Sequence, residues 1–215
     1  MAVTVTSDNN NRQTNAGRTL VRTSAGIPYV VVEDYTNGGI RIFKGNGTTP
    51  TSFSEQDSAN NPATAKGSCS VAIDSSNVIH IAYHYYNGKT SELDYVTFAT
   101  STDTFGTPVT VVADIGGDPV AITNLYTAIA IDSNDIPHIA FSQYPNKGGL
   151  PSLYYTNKVG GAWNASVEVE GATNGNPCTG YDITIDADNK PEVSYILYNG
   201  STYATKGALG NVNNA

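Results

Sequence analysis

Four stretches of the chain alternate large apolar residues with small or polar ones, and they align without gaps: 20–32, 71–83, 129–141 and 183–195. In the second, Val71 and Ile73 flank Ala72, the segment 74–77 is polar, and Ile79, Ile81 and Tyr83 then alternate with His80 and Ala82. A period of two on either side of a polar break predicts strand, tight turn, strand. Bulky residues recur beyond the break as Val30 and Val32, Ile81 and Tyr83, Ile139 and Phe141, Val193 and Tyr195. Ala82, Ala140 and Ser194 sit between them. Large on one face and small on the other suits sheets stacked face to face.

The anchor positions Pro28, Ile79, Pro137 and Pro191 recur every ~50 to 60 residues, a propeller-blade period, so the internal repeat organises the chain. A third strand is expected at 40–43, 93–98, 153–157 and 202–206, and a fourth at 108–113 and 165–170, with a weaker one near 51–55. The fourth copy shows no fourth strand of its own, whereas Ala2–Ser7 resembles Pro108–Ala113. The expectation is an all-β fold: a small β-propeller of four blades, each of four antiparallel strands, with the N-terminal strand closing the last blade. Its single domain spans 1–215, with blades near 18–57, 68–115, 126–170 and 181–206 plus 2–7. Pairing the two ends in one blade would leave no open seam.

The pattern Ile-Asp-Ser-x-[Asn/Asp]-x-Pro-His-Ile-Ala-[Tyr/Phe], clearest at 131–141, resembles the repeats of sialidase-like (BNR-type) propellers. The resemblance covers essentially the whole chain and implies the fold, an architecture that hosts lectins, hydrolases, lyases and structural proteins. The family's Asp-box, Ser-x-Asp-x-Gly-x-Thr-Trp, is absent. A sialidase-like site would also need arginines from several blades around a carboxylate. Arg12, Arg18, Arg22 and Arg41 all lie in the first fifth of the chain. The reading is therefore a non-catalytic member, more an absence of enzyme activity than a presence.

Composition narrows the partners. Charged residues make up 14% of the chain and the formal net charge is −8, which repels phosphate backbones and argues against nucleic acid. No apolar run is long enough to span a bilayer, so membrane insertion is not expected. The opening residues read as a strand rather than a signal peptide. That leaves an extracellular chain or a virion-associated one. Cys69 and Cys178 lack metal-site spacing, so neither a metal nor a cofactor is expected, and free or mutually bonded thiols are equally open.

Asp74, Asp132 and Asp186 begin the tight turns, where a carboxylate accepts backbone N–H groups, and Thr23 holds that position in the first copy. His80 and His138 share one repeat position and read as packing residues, while His84, near a loop, is the better candidate for exposure. Seven residues past each anchor lies a tyrosine, followed within two residues by asparagine: Tyr35 and Asn37, Tyr86 and Asn87, Tyr144 and Asn146, Tyr198 and Asn199. Tyrosine offers an aromatic face to a sugar, and asparagine can donate to and accept from its hydroxyls. These eight residues are the candidate ligand-binding set, for a glycan or a protein surface. Alternatively the tyrosines wedge between blades and the asparagines only turn the chain. Two other functions remain in view: a structural subunit of a larger particle or homo-oligomer, and a glycoside hydrolase or lyase using carboxylates such as Asp34 and Asp94.

Overall fold

The computed structural model describes residues 11–12, 18–34, 39–60, 62, 65–86, 89–116, 125–144, 150–171, 178–198 and 202–209. They form four antiparallel sheets in chain order, and the only helical segment among them is a 3-10 turn at Ser58–Asn60. The first sheet comprises β1 (Asn11–Arg12), β2 (Leu20–Arg22), β3 (Pro28–Asp34), β4 (Ile40–Gly45) and β5 (Phe53–Gln56), with β1 and β2 both paired to β3. The second holds β6 (Ala65–Ile73), β7 (Val78–Tyr86), β8 (Ser91–Ala99), β9 (Thr104–Phe105) and β10 (Val109–Val112). The third holds β11 (Thr127–Ile131), β12 (Pro137–Gln143), β13 (Ser152–Val159), β14 (Ala162–Trp163) and β15 (Val167–Glu170). The fourth has three described strands, β16 (Cys178–Ile185), β17 (Pro191–Tyr198) and β18 (Tyr203–Leu209). The expected closing strand, 2–7, lies outside the described residues.

Period-two alternation decides how the sheets stack. From the second sheet to the fourth, the bulky row of each sheet faces the sheet before it, and there it meets the small row in the third and fourth cases. Val71, Ile79, Ile81 and Tyr83 of the second sheet share a core with Val21, Tyr29 and Val31 of the first. Ile129, Ile139 and Phe141 pack on Ala72 and Ala82, and Ile183, Val193 and Tyr195 pack on Ala128 and Ala140. Alanine on one side lets the neighbour's branched and aromatic side chains enter without voids. Trp163, in the short β14 strand, meets the ring of Tyr95 edge-on at 5.1 Å.

The turns between the first two strands of each repeat follow one plan. The Oδ1 of Asp74 accepts the N–H groups of Ser76 (3.0 Å) and Val78 (2.7 Å), and Asp132 and Asp186 repeat the pattern two and four residues ahead. Thr23 does half of this, accepting from Ile27 at 3.2 Å. The last turn residue is left-handed each time: Gly26 (φ 80), Asn77 (φ 63), Asp135 (φ 60) and Asn189 (φ 61). Glycine, Asn and Asp tolerate that region best.

These turns also join neighbouring sheets. Asn77 Oδ1 accepts the Ser24 N–H at 2.6 Å and its amide donates to the Ser24 hydroxyl at 3.1 Å. Asp135 accepts from the N–H (2.9 Å) and hydroxyl (2.6 Å) of Ser75, which holds its carboxyl below the usual range. Asn189 accepts from the N–H (3.0 Å) and hydroxyl (2.8 Å) of Ser133. Each serine latches onto the following sheet.

Candidate functional site

The structure divides the tyrosine–asparagine set. Tyr86 closes β7 half-buried, opposite Ser91. Tyr144 just past β12 is only 8% exposed and belongs to the core between the second and third sheets, with Leu93, Ile115 and Leu125. Its N–H donates to the Ile115 carbonyl at 2.7 Å, and burial raises its phenol pKa. Its ring fills the interior between these two sheets. Tyr198 ends β17, but its side chain is not described. Tyr35, Asn37, Asn87, Asn146 and Asn199 lie outside the described residues.

The acidic groups near the same end are mostly committed to partners. Glu33 and Asp34 end β3, both buried. Arg41 on β4 lies 3.7 Å from Asp34 and donates to both carboxylate oxygens of Glu55, through Nε at 2.9 Å and through Nη2. Asp94 on β8 is the exception. Its carboxyl is buried, its Oδ1 finds no hydrogen-bond partner among the described residues, and burial pushes its pKa up to about 6.

His84 corrects an expectation. It is fully buried, with Nε2 3.2 Å from the Tyr126 carbonyl, and burial drives its pKa down to about 4. Its place at the end of the small row puts it under the third sheet, so nearness to a loop in sequence does not expose it.

His80 and His138 sit in the small rows as packing residues, each with a partner that sequence reasoning missed. His80 Nδ1 lies 2.6 Å from the Tyr95 hydroxyl and its Nε2 lies 3.1 Å from Asp74 Oδ2. One tautomer satisfies both contacts: Tyr95 donates to Nδ1 and Nε2–H donates to Asp74. His138 repeats the tyrosine contact, 2.6 Å from Tyr155, but its Nε2 stands 3.6 Å from Asp132 and has no hydrogen bond. The signal was present as a tyrosine on the third strand of each of these two repeats, 15 and 17 residues past the histidine.

Two cavities are lined by described residues. One of about 170 Å³ lies where the first strands converge, bounded by Arg18, Ala72, Ile73, Ile129, Ile131 and Ile185 among others. The N–H groups of Asp74, Asp132 and Asp186 donate to the carbonyls of Val78, Ile136 and Lys190 across the turns, and Ile73, Ile131 and Ile185, one residue earlier, line the cavity. Most of the side chains around it are apolar. The other, about 190 Å³, is an open groove on the fourth sheet between Asp182, Thr184, Glu192, Ser194 and Gly207. Among the described residues no group of three or more His, Cys, Asp or Glu could hold a metal ion.

No family model matches the sequence, and no curated protein matches it. Solved structures do resemble the fold. The intramolecular trans-sialidase from Ruminococcus gnavus superposes with a TM-score of 0.58 at 12% identity, over 94% of this chain and 43% of that one. The endo-arabinase from Bacteroides thetaiotaomicron gives 0.56 at 15% identity, over 98% and 80%. The GH93 alpha-L-arabinofuranosidase of Fusarium graminearum gives 0.63 at 10% identity, over 94% and 64%. This chain spans less than two thirds of the trans-sialidase and of the arabinofuranosidase. At these identities the likeness shows the fold, a sialidase- and arabinase-like propeller class, and nothing about activity.

Proposed function

We propose that this chain is a non-catalytic, glycan-recognising member of the sialidase-like propeller class, extracellular or carried on a virion. In this reading its four sheets form a four-bladed ring closed by residues 2–7, which share the Val-Thr-Val core of the outer strand β10. The observation that carries the reading is the likeness in fold to three structures described as a trans-sialidase, an arabinase and an arabinofuranosidase, all acting on sugars. The half-buried ring of Tyr86, at the loop end of β7, supplies the aromatic contact a sugar face needs. The lack of catalysis rests on the ion pairing of Asp34 and Glu55, since glycosidases need two carboxyl groups flanking one bond. A glycan array comparing the wild type with Tyr86→Ala tests it. Binding that Tyr86→Ala abolishes supports the reading, and no binding to any glycan, or binding unchanged in the variant, refutes it.

One observation favours a glycoside hydrolase as the second reading. A carboxyl with a pKa near 6, such as that of Asp94, is still partly protonated near neutral pH, as a general acid must be. Turnover of a polysaccharide panel that Asp94→Asn abolishes would replace the first reading with this one.

A further inference from the structure

The serine latches form a directed series with two blunt ends. The series runs Ser24 to Asn77, Ser75 to Asp135, and Ser133 to Asn189. The next donor position is Ala187, which has no hydroxyl, and the acceptor position of the first turn is Gly26, which has no side chain. Where the fourth sheet would meet the first, the acceptor side chain is missing and the donor is reduced to the backbone N–H of Ala187.

The packing surfaces agree. In the second and third sheets the small row is covered: Ser70, Ala82, His84, Ala140 and Ser142 are each fully buried. In the fourth sheet the matching row is Asp182, Thr184, Glu192, Ser194 and Ile196; Asp182, Thr184 and Ser194 are exposed and the others half-buried. This polar face carries the open groove described above. The core that holds the fourth sheet reaches the third sheet alone, through Ala128, Ala140, Leu153 and Tyr155. On the first sheet, Val30, Val32 and Phe43 gather with Phe53 of the same sheet, in a cluster separate from the others. Among the described residues, a sheet in the middle of the series is fastened on both faces, whereas the fourth is fastened on one.

We propose that the fourth sheet, residues 178–209, is a detachable end of the propeller: it swings off the third sheet as a unit, opening the seam where it would face the first sheet, while the first three sheets stay assembled. Its opening uncovers Tyr181, Ile183, Val193 and Tyr195, together with the row of the third sheet that they cover. Units with few fastened surfaces open below the free energy of global unfolding.

Hydrogen exchange on the full chain, read by mass spectrometry, tests this in the wild type and in Ser133→Ala, which removes one latch hydroxyl. The expected result is exchange of β16–β18 about tenfold or more faster than that of β7 and β12. Ser133→Ala should quicken the fourth sheet alone. Equal rates in β7, β12 and β16–β18 would overturn the proposal, as would a Ser133→Ala effect spread evenly over all four sheets or missing altogether. In the reverse direction, Gly26→Asn combined with Ala187→Ser restores both latch halves. Slower exchange of the fourth sheet in that double variant, beyond either single change, supports a seam whose sides meet. No added protection means the two sheets do not approach there, and the swinging motion as stated fails.

Discussion

The Tyr95 hydroxyl donates to Nδ1 of His80 across 2.6 Å of buried interior. Because the other ring nitrogen reaches Asp74, the contact ties the turn of the second repeat to its third strand. Removing only the phenol oxygen strands a buried acceptor. Tyr95→Phe should therefore cost about 1–3 kcal/mol. For a chain of this size each kcal/mol lowers Tm by about 2–4 °C, measurable by calorimetry. Tyr155→Phe, beside His138, should cost a similar amount.

The two histidines are not equal, since His80 makes two hydrogen bonds and His138 makes one. Replacing each with leucine in turn should destabilise the His80 variant more, by about 1 kcal/mol in urea titrations. Equal losses would mean that Asp74 gains nothing from the ring.

Acid should weaken the fold through its histidines. Burial lowers the pKa of His80, His84 and His138, to about 4 for His84, so below pH ~6.5 the unfolded chain binds protons that the folded one resists. Stability is fully present above pH ~6.5 and declines as pH falls toward the depressed folded values. Asp94 acts in the opposite sense. Its folded pKa of about 6 lies above its unfolded value, so its protonation favours the fold at low pH and that gain is lost as pH rises through 6. Asp94→Asn should raise stability at pH 7.5, by on the order of 2 kcal/mol, and change little at pH 4. Melting curves at the two pH values check both signs.

Gly116 has no room for a methyl group. A Cβ there would meet the Tyr144 carbonyl oxygen at 2.5 Å, and its φ of 71° disfavours other residues. Gly116→Ala should lower stability by about 2 kcal/mol or more, visible in Tm.

Cys69 is a free, buried thiol whose pKa burial pushes up to about 12. It should resist iodoacetamide at pH 8 in the native state and react once urea unfolds the chain, as peptide mass mapping would show.

Much of the fold was legible because each repeat obeys local rules. Asp74, Asp132 and Asp186 had one plausible task at a turn, and the hydrogen bonds show them performing it. Alternation likewise told which residues share a face. The candidate site was much less legible. Tyr86 and Tyr144 are equivalent in sequence, yet the second is sealed by Ile115 and the close approach of Gly116, which belong to the connection between the second and third sheets and lie outside the aligned repeat. His84 was misjudged for a related reason, because its cover comes from Tyr126, 42 residues away. The tyrosine–histidine pairs escaped notice since cross-strand register, which sets who faces whom, is fixed by pairing and not by spacing alone.

The latch from serine to the Asn or Asp of the next turn has a direction, and direction limits how such a molecule can be lengthened. The second and third hairpins each carry a donor at one corner and an acceptor at the other, so a duplicate of either could be inserted beside its parent with both joints already complementary. The outermost hairpins lack one half each. Enlargement by gene duplication would therefore be easiest from within the series, and the two blunt corners would stay at its ends.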